Sequence, residues 1–276
     1  MQPAVQELTK HFVQKDGIWR SSVAEAVFYP EERRDVCFEL EEESFWFQHR
    51  NKCIKTIFER YTPQGIILDV GGGNGCVTKM LDKAGYSVIL VEPSFKGCEN
   101  ARQRGVEHVV CAPLEKLSFD RVHAGAVCFF DVIEHLEDES ALLRQAHSIL
   151  NPGGKLYVTV PAHSWLWSWH DELAGHFRRH NKKSLTQTLE SNGFQILYLS
   201  YFFGALTIPA FLFRRLPYLM GMRVKTVRKD LEKKQHVRSG PVSKLMQRFI
   251  LEPEQRVLAS SEIKTGTSII AVAVKA

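Results

Sequence analysis

A chain of 276 residues with 44% hydrophobic and 24% charged residues has the composition of a soluble globular protein and is long enough to bury a full core. Its six cysteines form no C-x-x-C pair, which argues against a zinc site or a disulfide framework and for a reducing, cytoplasmic setting. No basic-then-apolar signal segment opens the chain, and a net charge of +5 is too mild to imply a partner by itself.

In chain order, residues 1–35 are weakly patterned. An acidic stretch at 39–43 precedes Phe45-Trp46-Phe47, and Ile54, Ile57, Phe58 and Tyr61 then recur at helical spacing, so one helix is expected over about 38–61. The aromatic trio reads first as core packing and alternatively as a lid over whatever the next segment binds. Pro63 and Gly65 break the helix. Short apolar strands then alternate with helical segments: strands at 66–68, 87–91, 108–111, 126–130, 155–160 and 194–201, helices at 94–104, 138–150 and 184–192, and a last strand at 267–274. Such alternation predicts a mostly parallel sheet with helices on both faces.

The most informative stretch is Ile66-Ile-Leu-Asp69-Val-Gly71-Gly72-Gly73-Asn-Gly75. A buried strand ends in an acid, glycines follow, and Cys76, Val77, Met80, Leu81 and Ala84 then start a helix. Glycine permits positive φ and close approach of a ligand to the backbone, and the first turn of a helix offers unpaired N–H groups. A phosphate-binding Walker loop needs Gly-Lys-Ser/Thr after the glycines, and Cys76 and Val77 stand there instead. A dinucleotide fingerprint needs G-x-G-x-x-G, whereas Gly71, Gly73 and Gly75 are spaced G-x-G-x-G. Asp69 would repel a pyrophosphate and attract a cationic amino acid.

With these residues in view, the sequence resembles the class I S-adenosylmethionine-dependent methyltransferases. The Asp69-to-Gly75 pattern is similar to their first motif, and Glu92 falls where the family places the acid that holds both ribose hydroxyls. Phe129 to Leu136 is similar to the fourth-strand motif, Leu150 to Gly154 to the turn before the fifth strand, and 194–201 with 268–274 to the antiparallel sixth and seventh strands. The resemblance covers about 40–201 and 266–276. It implies an α/β, Rossmann-like, seven-stranded, mostly parallel sheet with an antiparallel last strand and a helical insert before it. It also implies S-adenosylmethionine as cofactor, held by Asp69, Gly71, Gly72, Gly73, Gly75, Glu92, Pro93, Ala112, Leu114, Asp131 and Val132. At the third strand end, where many relatives carry an acid for adenine, this chain has Cys111-Ala112-Pro113-Leu114, which leaves backbone groups for that task.

Methyl transfer from a sulfonium is an in-line displacement, so the protein positions the acceptor and, for a hydroxyl, removes its proton. Histidine suits that proton transfer. His135 lies just past the fourth strand. Asp131, Glu134 and His135 form Asp-x-x-Glu-His, similar to a Glu-x-x-Glu-His set with which some relatives bind a divalent metal; the shorter Asp131 makes the expected answer no metal. Residues 161–180 hold three tryptophans, four histidines and two arginines. They resemble the Trp-Ser-x-His-Asp…Gly-His-x-Arg-Arg-Tyr stretch of a bacterial subgroup, with His180 in place of Tyr. Aromatics there can stack on an acceptor, His can take a proton, and Arg can clamp a carboxylate or phosphate. His176 and Asp171 are the foremost catalytic candidates, with His135 and His170 behind them.

Three regions are expected: an N-terminal helical lid (1–62), the cofactor-binding core (63–201 with 263–276) and a basic helical insert (202–262). Residues 202–222 are apolar but interrupted by Pro209, Arg214, Arg215 and Pro217, too broken for a spanning helix. The insert either roofs the site or, through 202–238, contacts an anionic membrane. Nucleic acid is a poorer match because base-stacking aromatics are not interleaved with the charges. The expected activity is methylation, at oxygen, of a small or lipid-linked metabolite. The alternatives are a non-catalytic binder of the same cofactor and an RNA methyltransferase.

Overall fold

The computed structural model describes residues 1–21, 31–222 and 251–276. Among the described residues nine strands form one sheet: β1 (Val13–Lys15), β2 (Ile18–Arg20), β3 (Ile67–Val70), β4 (Val88–Val91), β5 (Val109–Cys111), β6 (Ala124–Phe130), β7 (Leu150–Pro161), β8 (Phe194–Phe202) and β9 (Ser268–Lys275). Their order is β1-β2-β5-β4-β3-β6-β7-β9-β8. Neighbours from β2 to β7 are parallel, and β9 runs antiparallel between β7 and β8. The helices are α1 (Gln2–Leu8), α2 (Glu31–Glu43), α3 (Phe45–Arg60), α4 (Cys76–Lys83), α5 (Phe95–Gln103), α6 (Glu139–Ile149), α7 (Trp169–Ala174), α8 (Lys182–Ser191), α9 (Thr207–Ala210), α10 (Leu216–Leu219) and α11 (Glu252–Ser260).

The seven expected strands are β3 to β9, and the count of nine corrects the expectation. The extra pair is a hairpin in the stretch that showed no pattern. It turns at Asp16-Gly17, both at positive φ (54° and 76°), the twist a two-residue hairpin favours. Strands of three residues are too short for alternation to show, and β2 pairs with β5 at the sheet edge. The helix expected over 38–61 is also corrected to two, α2 and α3, divided at Ser44. The Ser44 side chain accepts from the Trp46 N–H at 3.2 Å and so restarts the helix as an N-cap. Asn151 to Gly154 lies within β7 rather than before it, and a register shift between Ala124 and Ala126 absorbs the irregularity.

Both faces of the sheet are covered, and so its central strands read as unbroken apolar runs. On one face Leu68, Val127, Phe129 and Leu156 pack with Leu143 of α6 and Leu185 and Leu189 of α8. On the other Ile67, Ala126, Cys128 and Tyr157 pack with Ile54, Ile57 and Phe58 of α3 and Val77 and Leu81 of α4. The six cysteines are free thiols. The described part of the 202–262 insert is tied down by Glu254 of α11. Its carboxylate accepts from Phe203 N–H (2.6 Å) and Gly204 N–H (2.7 Å) and lies 2.8 Å from His49 Nε2 on α3. Residues 223–250, which hold most of the basic tract, lie outside the described residues. Among the described residues no helix is long and apolar enough to cross a membrane.

Candidate functional site

The parallel strands β3, β4, β6 and β7 end on one edge of the sheet, the edge where ligands lodge in open α/β folds. A cavity of about 690 Å³ lies there, large enough for a nucleoside ligand together with a second molecule. Gly71, Gly72, Gly73, Asp69, Glu92, Pro93, Asp131, Val132, Glu134 and His135 line it, and so do His170, Asp171 and His176. The structure thus brings the glycine turn, the fourth-strand motif and the tryptophan and histidine loop to one chamber. Gly75, Ala112 and Leu114 are not on its wall. Ala112 and Leu114 are buried in the core, and a Cβ at Gly75 would meet Ala101 Cβ at 2.8 Å, so this glycine serves helix packing. Gly71, by contrast, combines φ 69° with an approach that would put a Cβ 2.9 Å from Val132.

Glu92 closes the glycine turn. Fully buried, it accepts from Gly73 N–H (2.9 Å), Ser94 N–H (2.8 Å) and Arg34 Nη2 (2.9 Å). Arg34 lies on α2, which is latched over the turn by further polar contacts. Arg104 Nη1 donates to Glu41 Oε2 and to the Asn74 carbonyl, both at 2.7 Å, and Asn74 Nδ2 donates to the Arg34 carbonyl at 3.0 Å. Asp69 is also buried; its Oδ2 accepts from Thr78 Oγ1 at 2.6 Å, and its Oδ1 has no hydrogen-bond partner among the described residues. Burial pushes the Asp69 carboxyl up to about 6 against the opposing pull of Thr78 and Arg50. A cation bound beside Asp69 favours its ionised form, so affinity for a cationic ligand is expected to fall as pH drops below about 6, a trend that calorimetric titration across pH 5 to 8 would check. A flat profile over that range would remove Asp69 from direct contact with the charge.

Asp131 ends β6 in left-handed backbone, φ 59°. Arg50 of α3 holds it there, with Nε 2.6 Å from Asp131 Oδ2 and Nη2 3.0 Å from the Phe130 carbonyl. Trp46, Phe45 and Phe47 also line the cavity, and Phe45 belongs to the core as well. Glu134 is wholly buried, and neither of its carboxylate oxygens has a hydrogen-bond partner among the described residues. Burial, with Asp131 nearby, raises its carboxyl far above the usual range. His135 is lowered to about 4 by burial and by the neighbouring His176, whose ring centroid is 4.7 Å away, so it is neutral at ordinary pH. Ligand atoms of Glu134, His135 and His176 all lie within 4.8 Å of one another. His176 completes this cluster, while Asp131 is engaged by Arg50.

The loop after β7 is organised by Asp171. This residue sits in the first turn of α7, where its Oδ2 accepts from the backbone N–H of Ser168 at 2.9 Å and so closes a capping box. Its Oδ1 lies 2.9 Å from His176 Nδ1 and 2.7 Å from Arg179 Nε. Burial pushes the Asp171 carboxyl up, but the hydrogen bond from His176 and the Arg179 guanidinium outweigh it and hold it at about 2. An ionised Asp171 orders the imidazole with Nδ1 as donor, which leaves Nε2 as the acceptor. The Phe177 N–H donates to the Glu134 carbonyl at 2.8 Å, fixing this loop to the fourth-strand motif. His170 lies against Trp169 at 3.6 Å between ring centroids, and both face the cavity. His180 is buried, 3.1 Å from Glu139 Oε2, and His163 stacks on Tyr201 at 4.8 Å; neither lines the cavity. Trp165 and Trp167 are off the wall as well.

Sequence reasoning missed Arg34 and Arg50. Arg34 stands in a charged run that reads as a solvated helix face. Arg50 is four residues beyond Trp46, on the same helical face as an aromatic already singled out, and that spacing was the available signal. The contribution of Leu206, Pro209, Ala210 and Arg214 to the cavity wall depends on how the insert folds back.

Residues 41–199 match the family model described as a methyltransferase domain. The human mitochondrial ubiquinone biosynthesis O-methyltransferase is 31% identical over 103 residues, 34% of this chain and 28% of that protein. The enzyme of the same name from Xanthomonas axonopodis pv. citri is 27% identical over 114 residues, 39% of this chain and 48% of its own length. The chain therefore spans less than half of these relatives. A solved Thermotoga maritima protein, described as an S-adenosylmethionine-dependent methyltransferase and possible histamine N-methyltransferase, shares the fold with a TM-score of 0.54 at 16% identity. That match covers 89% of this chain and 95% of the other. Haemonchus contortus phosphoethanolamine N-methyltransferase 2, solved with S-adenosylmethionine, gives a TM-score of 0.54 at 15% identity over 91% of this chain and 60% of its own.

Proposed function

The chain belongs to the S-adenosylmethionine-dependent methyltransferases, and from that premise we propose that it methylates an oxygen of a small or lipid-linked metabolite, with His176 as general base. S-adenosylmethionine supplies a sulfonium methyl. In this reading Glu92, on the cavity wall, accepts from a ribose hydroxyl, and Asp69 favours the cationic end. The observation that carries the base assignment is the His176 Nδ1 to Asp171 Oδ1 contact of 2.9 Å on the wall of the same cavity. That contact orients the ring and stabilises the imidazolium formed when Nε2 takes the acceptor proton. His135 and His170 stand beside the same chamber. A neutral His135 adds no charge that would repel a sulfonium.

The reaction is tested with methyl-tritiated S-adenosylmethionine and a total cell extract, partitioned after incubation into organic, aqueous and nucleic-acid fractions. Label in the organic or low-molecular-weight aqueous fraction is the expected result. Label confined to RNA would overturn the acceptor class, and label stable as an amine would overturn the oxygen assignment.

The unsatisfied Glu134 favours a second reading of the same wall, in which Glu134, His135 and His176 hold a divalent ion. An ion there would polarise an acceptor oxygen, and Asp171 would then fix a metal-bound imidazole. Under this reading Mn2+ raises the melting temperature of chelator-treated protein and Glu134→Gln removes the effect. No melting shift with Mn2+ leaves His176 as the base.

A further inference from the structure

Helical residues 207–219 form one wall of the cavity and, at the same time, an exposed apolar ridge. Leu206, Pro209, Ala210, Phe213 and Arg214 line the cavity. Ile208, Leu212, Leu216, Leu219 and Met220 are exposed off that wall and Phe213 is exposed at its rim, with Ile208 71%, Phe213 77% and Met220 73% exposed. The turn Phe211–Arg215 between α9 and α10 is π-helical, so the exposure of these side chains, not a 3.6-residue spacing, defines the ridge. Trp165, also exposed, extends the ridge through its contact with Phe211, ring centroids 5.9 Å apart. Monomeric proteins seldom leave so many large apolar side chains together in water.

We infer that this ridge docks in the surface of an anionic lipid bilayer, with the mouth of the cavity at the membrane. The segment is too short to span: thirteen helical residues reach about 20 Å, against a hydrocarbon core of about 30 Å. An amphipathic helix of this kind lies in the interface, with Trp and basic residues at headgroup level. Charge identifies the partner. No Asp or Glu occurs between Phe202 and Met222, where Arg214 and Arg215 are the only ionised side chains. The sequence from Arg223 to Arg248 then carries nine Lys or Arg against two acids, a surplus of seven in a chain whose total is +5. A second copy of this chain would bring two such surpluses together, whereas an anionic surface neutralises them. Because the inner side of the same helix is cavity wall, a lipid-linked acceptor would pass from the bilayer into the chamber without crossing water. That last consequence rests on the proposed methyl transfer; the docking itself does not.

The test is vesicle sedimentation of the full chain without any acceptor. Wild type is expected to bind equimolar phosphatidylcholine and phosphatidylglycerol vesicles at least about tenfold better than phosphatidylcholine alone, with binding lost at high salt. The double variant Leu219→Glu, Met220→Glu, whose residues are off the cavity wall, is expected to lose at least about tenfold in vesicle affinity while S-adenosylmethionine binding persists. Ile208→Glu serves as an independent second variant. Failure of the wild type to bind anionic vesicles, or equal binding by both variants, overturns the inference. A wild-type dimer in gel filtration that Leu219→Glu, Met220→Glu dissociates, without vesicle binding, assigns the ridge to a second copy instead. Loss of vesicle binding with labelled methyl transfer intact, or the reverse, separates this inference from the proposed reaction.

Discussion

Glu92→Ala is expected to weaken S-adenosylmethionine binding by about 10- to 100-fold, read by isothermal titration calorimetry. With three donors already on it, the buried carboxylate has one acceptor site left for a ribose hydroxyl, and that hydrogen bond is worth about 1.5–3 kcal/mol, which converts to that factor. The same carboxylate also accepts from Gly73, Ser94 and Arg34, so its loss loosens the glycine turn before any ligand arrives. Breaking the buried pair with Arg34 is expected to cost about 3 kcal/mol of stability as well. Glu92→Gln separates the two effects, because it keeps the volume and one acceptor oxygen. It should recover most of the stability and little of the affinity. Unchanged affinity in Glu92→Ala would take this residue out of the cofactor site.

The second large effect is on turnover. With whichever acceptor the labelled extracts reveal, His176→Ala is expected to lower kcat about 100- to 10,000-fold, the range for removal of a general base. The affinity for S-adenosylmethionine should stay within about twofold, since His176 is assigned to the acceptor and not to the nucleoside. Asp171→Asn should lose less in kcat, because it leaves the imidazole present but no longer fixes its tautomer. The sign of the pH response is set by the depressed carboxyl. Asp171 is held at about 2, below its ordinary range, so its contribution to stability is complete above about pH 4 and is lost as pH falls toward 2. Across the neutral range it remains ionised, and activity changes there belong to other groups. Full turnover in His176→Ala would exclude the base role and the metal-ligand role together.

The glycine turn, Glu92 and the fourth-strand motif were legible because each chemistry is confined to a short run with a fixed spacing. A strand, an acid and a glycine turn must be contiguous to bend the backbone against a ligand, so Asp69 to Gly75 carries its own meaning. Asp171 and His176 stood out in the sequence only as separate candidates; their pairing across the end of α7 is seen in the structure. The hairpin at Asp16-Gly17 was not read, although its turn residues were present, because three-residue strands carry no period. Arg34 and Arg50 were invisible for a different reason. Each acts on a partner distant in sequence, Glu92 and Asp131, and nothing local marks an arginine that is to be buried.

Taken by itself, the sequence determined the alternation of strands and helices, the cofactor class and the loop that holds the candidate base, because these depend on local periodicity and motif spacing. Only the tertiary structure decided which side chains share a wall. It set His180 and His163 aside from the cavity, joined His176 to Glu134 and His135, and drew Asp131 to Arg50. It also made the apolar segment at 207–219 at once part of the cavity wall and an exposed ridge. The physical reason is common to all of these: burial, charge pairing and exposure are properties of neighbours in space, and a linear pattern fixes neighbours only within a turn or a strand.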